Sequence, residues 1–323
     1  MKRDFPVVMQ NGAEQPWLPL KLDMKLANTS EQIDANIEAS LRRKYVPLTQ
    51  LLDKHSGAVA IVGSGPSLKD TWRSIRGDII ACNAANQFLL ERGVTPKYVM
   101  IFDADILAEE FVTHPHKDIT YLLASRCHPA LFKRLEGFKV VVWHAAGDLN
   151  VQAILERHGV MEPMCGGGSA AVTRTMFLAP VLGYRHLHLY GVDSSYNNEE
   201  TRVRYARGAI EFEDLKGDAR GSHFRKSTTE EKFIAIMCNT QFADGREVSR
   251  VFHTTPWMAG QAEDFKVLVP SLQKLGVKIS VHGDGLIPHL AKYALGLDVD
   301  GQSRTRQLWR EAKTKARTLW LNL

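Results

Sequence analysis

From residue 58 onward, short apolar runs alternate with longer segments of helical spacing. The runs at 58–62, 78–82, 97–102, 118–123, 138–143, 186–190, 250–254 and 277–281 have the length and β-rich content of buried strands. This alternation predicts an α/β fold: a Rossmann-like, mostly parallel sheet with helices on both faces and ligands at the carboxyl ends of its strands. Upstream, Pro6, Pro16 and Pro19 argue for irregular chain over residues 1–25. Ile33, Ile37 and Leu41, then Leu48, Leu51 and Leu52, outline a helical lead-in broken at Pro47. The expected organisation is a lead-in over 1–55, a nucleotide-binding domain over 56–295 and a tail over 296–323. In the tail, Leu308, Trp309, Ala312, Ala316, Leu319, Trp320 and Leu323 share a stripe opposite Arg310, Lys313 and Arg317. That is an amphipathic basic helix, suited to packing on the body or on another copy of the chain, or to peripheral contact with a membrane.

One segment breaks the rhythm. Residues 194–228 are polar, charged and poor in core-forming side chains. Such an insertion after a strand is either an active-site lid or a plain surface loop.

The first strand stops at Gly63-Ser64-Gly65-Pro66-Ser67, and a helix is expected to begin at Pro66 or Ser67. The glycines allow a tight turn and close approach of a ligand, and the helix start favours an anion, most naturally phosphate. An ordinary β–α turn fits the same residues. Neither a dinucleotide fingerprint nor a P-loop is present, since no third glycine and no Gly-Lys-Ser/Thr follows.

Other strand ends carry polar groups that a parallel sheet gathers at one edge. Asn83, in Cys82-Asn83-Ala84, offers two donors and an acceptor to a base, ribose or leaving phosphate, or else caps the next helix. Asp103 and Asp105 suit Mg²⁺ against a diphosphate, although Asp105 also stands where a helix cap belongs. Gly166, Gly167 and Gly168 before Ser169 repeat the anion-binding pattern, with Thr173 on the same helix face as Ser169. The helix they open is apolar nearly all round apart from Arg174, with Pro180 kinking or ending it. A further strand ends in Tyr190-Gly191-Val192-Asp193. His223, on the polar insertion, is a candidate general base, with His253 as its competitor.

Composition narrows the classes. Across 323 residues the net charge is +5, with 44% hydrophobic and 24% charged residues, which is ordinary for a globular protein and modest for a nucleic-acid binder. Four scattered cysteines without CxxC spacing indicate neither a zinc site nor a disulfide framework, and point to a reducing cytoplasm. Met1-Lys2-Arg3-Asp4 leads into no apolar signal region, and no apolar run approaches the roughly 18–20 residues that span a bilayer.

Taken together, Val62-Gly63-Ser64-Gly65-Pro66-Ser67-Leu68, Ala81-Cys82-Asn83-Ala84-Ala85, Val99–Asp105, Gly167-Gly168-Ser169 and Leu182–Asp193 resemble the MptE-like domain family. That family is named for an archaeal 6-hydroxymethylpterin diphosphokinase and includes the Maf flagellin-modification proteins. The same order is similar to bacterial sialyltransferases that use CMP-sialic acid. This second resemblance implies that Gly63, Gly65 and Ser67 hold a nucleotide phosphate, with Asn83 at the ribose or phosphate. It implies that Gly168 and Ser169 face the nucleotide and that His223 deprotonates the acceptor. Ser64 departs from the asparagine of the sialyltransferase loop, and Asp103 and Asp105 supply a metal pair those enzymes do not need. Three functions follow: a glycosyltransferase using a nucleotide-sugar and an acceptor glycan, protein or modified nucleic acid; an ATP- and Mg²⁺-dependent diphosphokinase acting on a pterin-like alcohol; or a silent nucleotide-binding module.

Overall fold

Val59, Ala60, Ile61 and Val62 are all buried, so the strand before the first glycine turn has no solvent face. A strand apolar on both faces needs a layer above and below it, as in a parallel sheet. The computed structural model, which describes residues 7–9, 28–148, 150–196, 234–241 and 247–300, has this arrangement. The first half runs β1 (Val7–Met9), α1 (Ser30–Leu41), β2 (Val46–Pro47), β3 (Ala58–Val62), α2 (Leu68–Thr71), β4 (Asp78–Cys82), α3 (Ala85–Leu90), β5 (Tyr98–Ile101), β6 (Thr120–Ala124), α4 (Pro129–Arg134) and β7 (Lys139–Ala145). There follow α5 (Val151–Arg157), β8 (Met164–Cys165), α6 (Ala171–Val181), β9 (His186–Tyr190), β10 (Ile234–Gln241), β11 (Glu247–Thr254), α7 (Pro256–Lys274), β12 (Lys278–His282), α8 (Leu286–Tyr293) and β13 (Asp298–Asp300).

Ten strands form one parallel sheet in the order β13-β12-β9-β3-β4-β5-β6-β7-β2, with β8 beside β7. From β3 the chain steps outward to β7, then returns to the far side of β3 as β9. The topological switch point therefore lies between β3 and β9. Helix α6 packs on β3, β4 and β5, and α7 packs on α6 and β12. Trp143, Tyr121, Tyr184 and Phe265 are the bulkiest fully buried side chains. The N-terminal α1 docks Ile33 and Ile37 against Ala104, Val151, Ile154 and Leu155, and Asn36 Nδ2 donates to the carbonyls of Ala104 (3.1 Å) and Arg126 (3.0 Å). Among the described residues no helix is long and apolar enough to cross a membrane.

Three expectations are corrected. Residues 7–9, read as irregular, form a strand that pairs in parallel with β10. The run at 250–254, expected in the main sheet, belongs to β11 of a separate three-stranded sheet. Its partner β10 ends only a few residues earlier, and a short connection favours antiparallel pairing. The helix after the first glycine turn begins at Leu68 and lasts four residues, so its dipole is small. Pro180 lies inside α6, which ends one residue later. Residues 197–228 of the insertion, His223 and the amphipathic pattern at 304–323 lie outside the described residues.

At the switch point the two loops touch. The amide of Gly63 donates to Tyr190 O (2.8 Å) and that of Gly65 to Gly191 O (2.7 Å). A Cβ on Gly65 would stand 2.6 Å from Gly191 O and 2.8 Å from the carboxylate carbon of Asp193. Only glycine lets the loops close. Asp193 is 1% exposed and accepts from Ser67 N (2.6 Å) and Ser67 Oγ (2.5 Å). Replacing Asp193 with alanine leaves both donors buried without that acceptor. The expected loss of stability is about 2–4 kcal/mol; Gly65→Ala is expected to lose about 1–3 kcal/mol by overpacking. Denaturant unfolding of both variants checks this, with Lys69→Ala on the exposed side as a control near zero.

Candidate functional site

The carboxyl edge of the sheet carries Gly63–Ser67 after β3, Asn83 after β4, Asp103 and Asp105 after β5, and Asp193 after β9. The Gly166–Ser169 turn opens α6 beside them: a Cβ on Gly63 would meet Val172 Cγ2 at 3.0 Å. Gly63–Ser67, Asn83, Asp103, Asp105, Asp193 and the Gly166–Ser169 turn therefore gather at this edge, whereas His253 lies in β11 of the separate three-stranded sheet.

In each glycine-rich turn the closing serine is engaged by an internal carboxylate. Ser67 is held by Asp193, and Ser169 gives both its amide and its hydroxyl to Asp264 Oδ2 of α7 at 2.6 Å. Gly63 and Gly65 are buried with their amides in backbone bonds, which leaves Ser64 and Pro66 at the partly exposed crest. Thr173 Oγ1 accepts from Ala170 N (3.1 Å) and fixes the first turn of α6. Gly167 has φ +129°, and a Cβ there would sit 2.9 Å from Arg174 Cα. These turns pack closely before they bind anything.

Asn83 is different. Its backbone is left-handed (φ +50°), a conformation that costs a non-glycine residue about 1 kcal/mol or more and that concentrates at functional sites. Its amide donates to Met100 O (3.1 Å), while its side-chain Oδ1 is buried without a hydrogen-bond partner. Asp105 Oδ1 caps the following 3₁₀ turn by accepting from Leu107 N (2.9 Å), and Asp103 Oδ1 accepts from Asp105 N (3.1 Å). The pair thus shapes the loop after β5. Among the described residues, no three His, Cys, Asp or Glu side chains gather where a metal ion would fit.

The sequence reading missed a second polar cluster on the same edge. Arg126 follows β6, Asp148 follows β7 and Arg174 lies in α6, and the first two pair at 2.5 Å. Arg174 is 7% exposed and donates through Nη1 to the carbonyls of Ala146 (2.8 Å) and Cys165 (3.1 Å). Both guanidinium groups lie over the Phe102 ring, 4.6 and 4.8 Å from its centroid. Burial lowers the pKa of Arg174, while burial raises that of Asp148 against the pull of the two arginines. Ser125 Oγ, Arg126 Nε, Asp148 Oδ2 and Arg174 Nε are buried without partners, as is Asn83 Oδ1. The one cue in the sequence was a lone arginine in the otherwise apolar α6. Burial pushes the thiols of Cys82 and Cys165 up, to about 12 and about 11, which leaves them protonated and poor nucleophiles.

Residues 31–199, more than half of the chain, match the family model described as 6-hydroxymethylpterin diphosphokinase MptE-like. The chain belongs to the MptE-like family. The matched stretch takes in both glycine turns, Asn83, the arginine cluster and Asp193. No curated protein matches the chain. Among solved structures, this MptE-like chain is similar to the MAf glycosyltransferase of Magnetospirillum magneticum AMB-1, with TM-score 0.55 and 17% identity over 87% of this chain. The likeness is one of fold, and the chain accounts for 39% of that larger protein. The sialyltransferase CstII of Campylobacter jejuni, solved with the substrate analogue CMP-3FNeuAc, aligns at 18% identity and TM-score 0.26, over 56% of this chain and 79% of its own.

The edge also holds a titrating group. His144 of β7 is fully buried, its Nε2 is 3.3 Å from Glu162 Oε2, and desolvation lowers its pKa to about 4. Below pH 6.5 the unfolded chain protonates this histidine, whereas the folded chain resists until about pH 4. Its contribution to stability is therefore present above pH 6.5 and lost as pH falls toward 4. Relative to His144→Gln, the wild type is expected to lose on the order of 2–3 kcal/mol between pH 7 and pH 4.5. Urea unfolding of both proteins across that range measures the difference.

Proposed function

We propose that this chain is a nucleotide-dependent transferase: a glycosyltransferase that moves a sugar from a CMP-sugar-like donor to an acceptor hydroxyl. The observation that carries this reading is Asn83, a strained residue at a strand tip with a buried, unpartnered amide oxygen, set among glycine turns on the ligand-binding edge. The MAf protein, similar in fold, is described as a glycosyltransferase.

In this reading Asn83 meets the ribose or the leaving phosphate, and Ser64 and Gly168 line the nucleotide. The acceptor oxygen forms a bond to the anomeric carbon as the carbon–phosphate oxygen bond breaks. The nucleotide takes the bond pair, and the acceptor proton passes to His223. Closure of the polar insertion would keep water from the donor. The acceptor class is a glycan, a protein or a modified nucleic acid.

A second reading has one specific support, the family's description as a diphosphokinase. There Asp103 and Asp105 would hold Mg²⁺, which would neutralise charge on the phosphates of ATP.

A thermal-shift series with CMP, UDP, GDP and ATP, each with Mg²⁺ or EDTA, separates the readings. Stabilisation by CMP that is indifferent to EDTA is expected. Stabilisation by ATP only with Mg²⁺ would replace sugar transfer with the kinase, and no response to any nucleotide would leave a silent module. Asn83→Gly preserves the left-handed backbone and removes the amide, so nucleotide affinity is expected to fall about tenfold with stability unchanged or slightly raised. His223→Ala is expected to cut sugar transfer about 10²- to 10⁴-fold with little change in nucleotide affinity. Unaltered turnover would remove its role.

A further inference from the structure

Of two guanidinium groups on this edge, only one is hydrogen-bonded to a carboxylate. Arg126 donates Nη1 to Asp148 Oδ1, and Arg174 donates only to two main-chain carbonyls. Asp264, the other carboxylate acting on Arg174 from this edge, takes its hydrogen bonds from Ser169. The Nε atoms of both arginines are buried and unpartnered, and neither Nη2 makes a hydrogen bond among the described residues. Unsatisfied charged donors in a dehydrated setting are costly, and a guanidinium is shaped to grip an oxyanion with two parallel hydrogen bonds. Phe102 supports both groups from its ring face, which leaves their donor-bearing edges for a ligand.

We propose that Arg126 and Arg174, steadied on Phe102, form an oxyanion subsite that takes a phosphoryl or carboxylate group of the ligand bound at this edge. The subsite is distinct from the two glycine turns, whose Ser67 and Ser169 already hold internal carboxylates. It rests on the transferase reading only for which molecule carries the oxyanion. Asp148 restrains the subsite, because it occupies Arg126 and offsets part of its charge.

Isothermal titration of the full chain at low ionic strength, with inorganic pyrophosphate and separately with malonate, tests the proposal without any nucleotide. At least one anion is expected to bind, and Arg126→Gln to weaken it about 10- to 100-fold. Preference for pyrophosphate assigns the subsite to a phosphoryl group; preference for malonate assigns it to a carboxylate. Asp148→Asn frees Arg126 and is expected to tighten the same anion several-fold, a gain that a purely structural role would not produce. Should Arg126→Gln fail to fold, Asp148→Asn decides alone. Absence of binding to the wild type, or affinities unchanged in the folded variants, would overturn the subsite even if CMP binds. Anion binding that depends on Arg126 in a chain that ignores every nucleotide would keep the subsite and remove the donor reading.

Discussion

The buried hydrogen bonds from Ser67 to Asp193 hold together the two halves of the winding. Strand β3 begins the outward walk across the sheet and β9 begins the return, so their loops must meet wherever the direction reverses. Asp193 sits at that meeting with both oxygens on Ser67, and Gly63, Gly65 and Gly191 are the small residues that let the loops touch. A carboxylate this deep requires donors, and the Ser67 amide and hydroxyl supply them. Gly283 and Gly285, after β12, abut Ser67 and Asp193 as well, so a third loop depends on the same contact.

That constraint decides where on the edge a ligand finds free groups. Over β3 and β9 the amides of Gly63 and Gly65 are paired with main-chain carbonyls and that of Ser67 with Asp193. Ser169 repeats the solution with Asp264. Toward β4–β7 the balance reverses: Asn83, Ser125, Arg126, Asp148 and Arg174 all retain unpartnered polar atoms. Helix α1 borders that half through Asn36, whose amide donates to the carbonyls of Ala104 and Arg126.

The main sheet was legible because its strands are apolar on both faces and bounded by turn residues, a pattern that needs no distant partner to recognise. Strand edges such as Gly63, Asn83 and Asp193 were legible for the same reason. Asp105 makes the capping bond that its position before a helical turn allowed. What stayed hidden depends on distant parts of the chain. Nothing around Ser67 in the sequence points to Asp193, 126 positions away, as its hydrogen-bond partner. Arg126 and Arg174 read as separate residues until Phe102 and Asp148 bring them together. The short strands β2, β8 and β13 carry too few residues for a period to show, and β1 is a strand only because β10 pairs with it.

The pairing of β1 with β10 also fixes an order of events during synthesis. Val7–Met9 leaves the ribosome before any of the parallel sheet, yet its partners Met237–Asn239 emerge only after β9 and the insertion. The N-terminal strand therefore waits, unpaired, while β3 to β7 assemble from comparatively local contacts. A strand near the start of this sequence is thus stitched in only after the strands from β2 to β9 have been made.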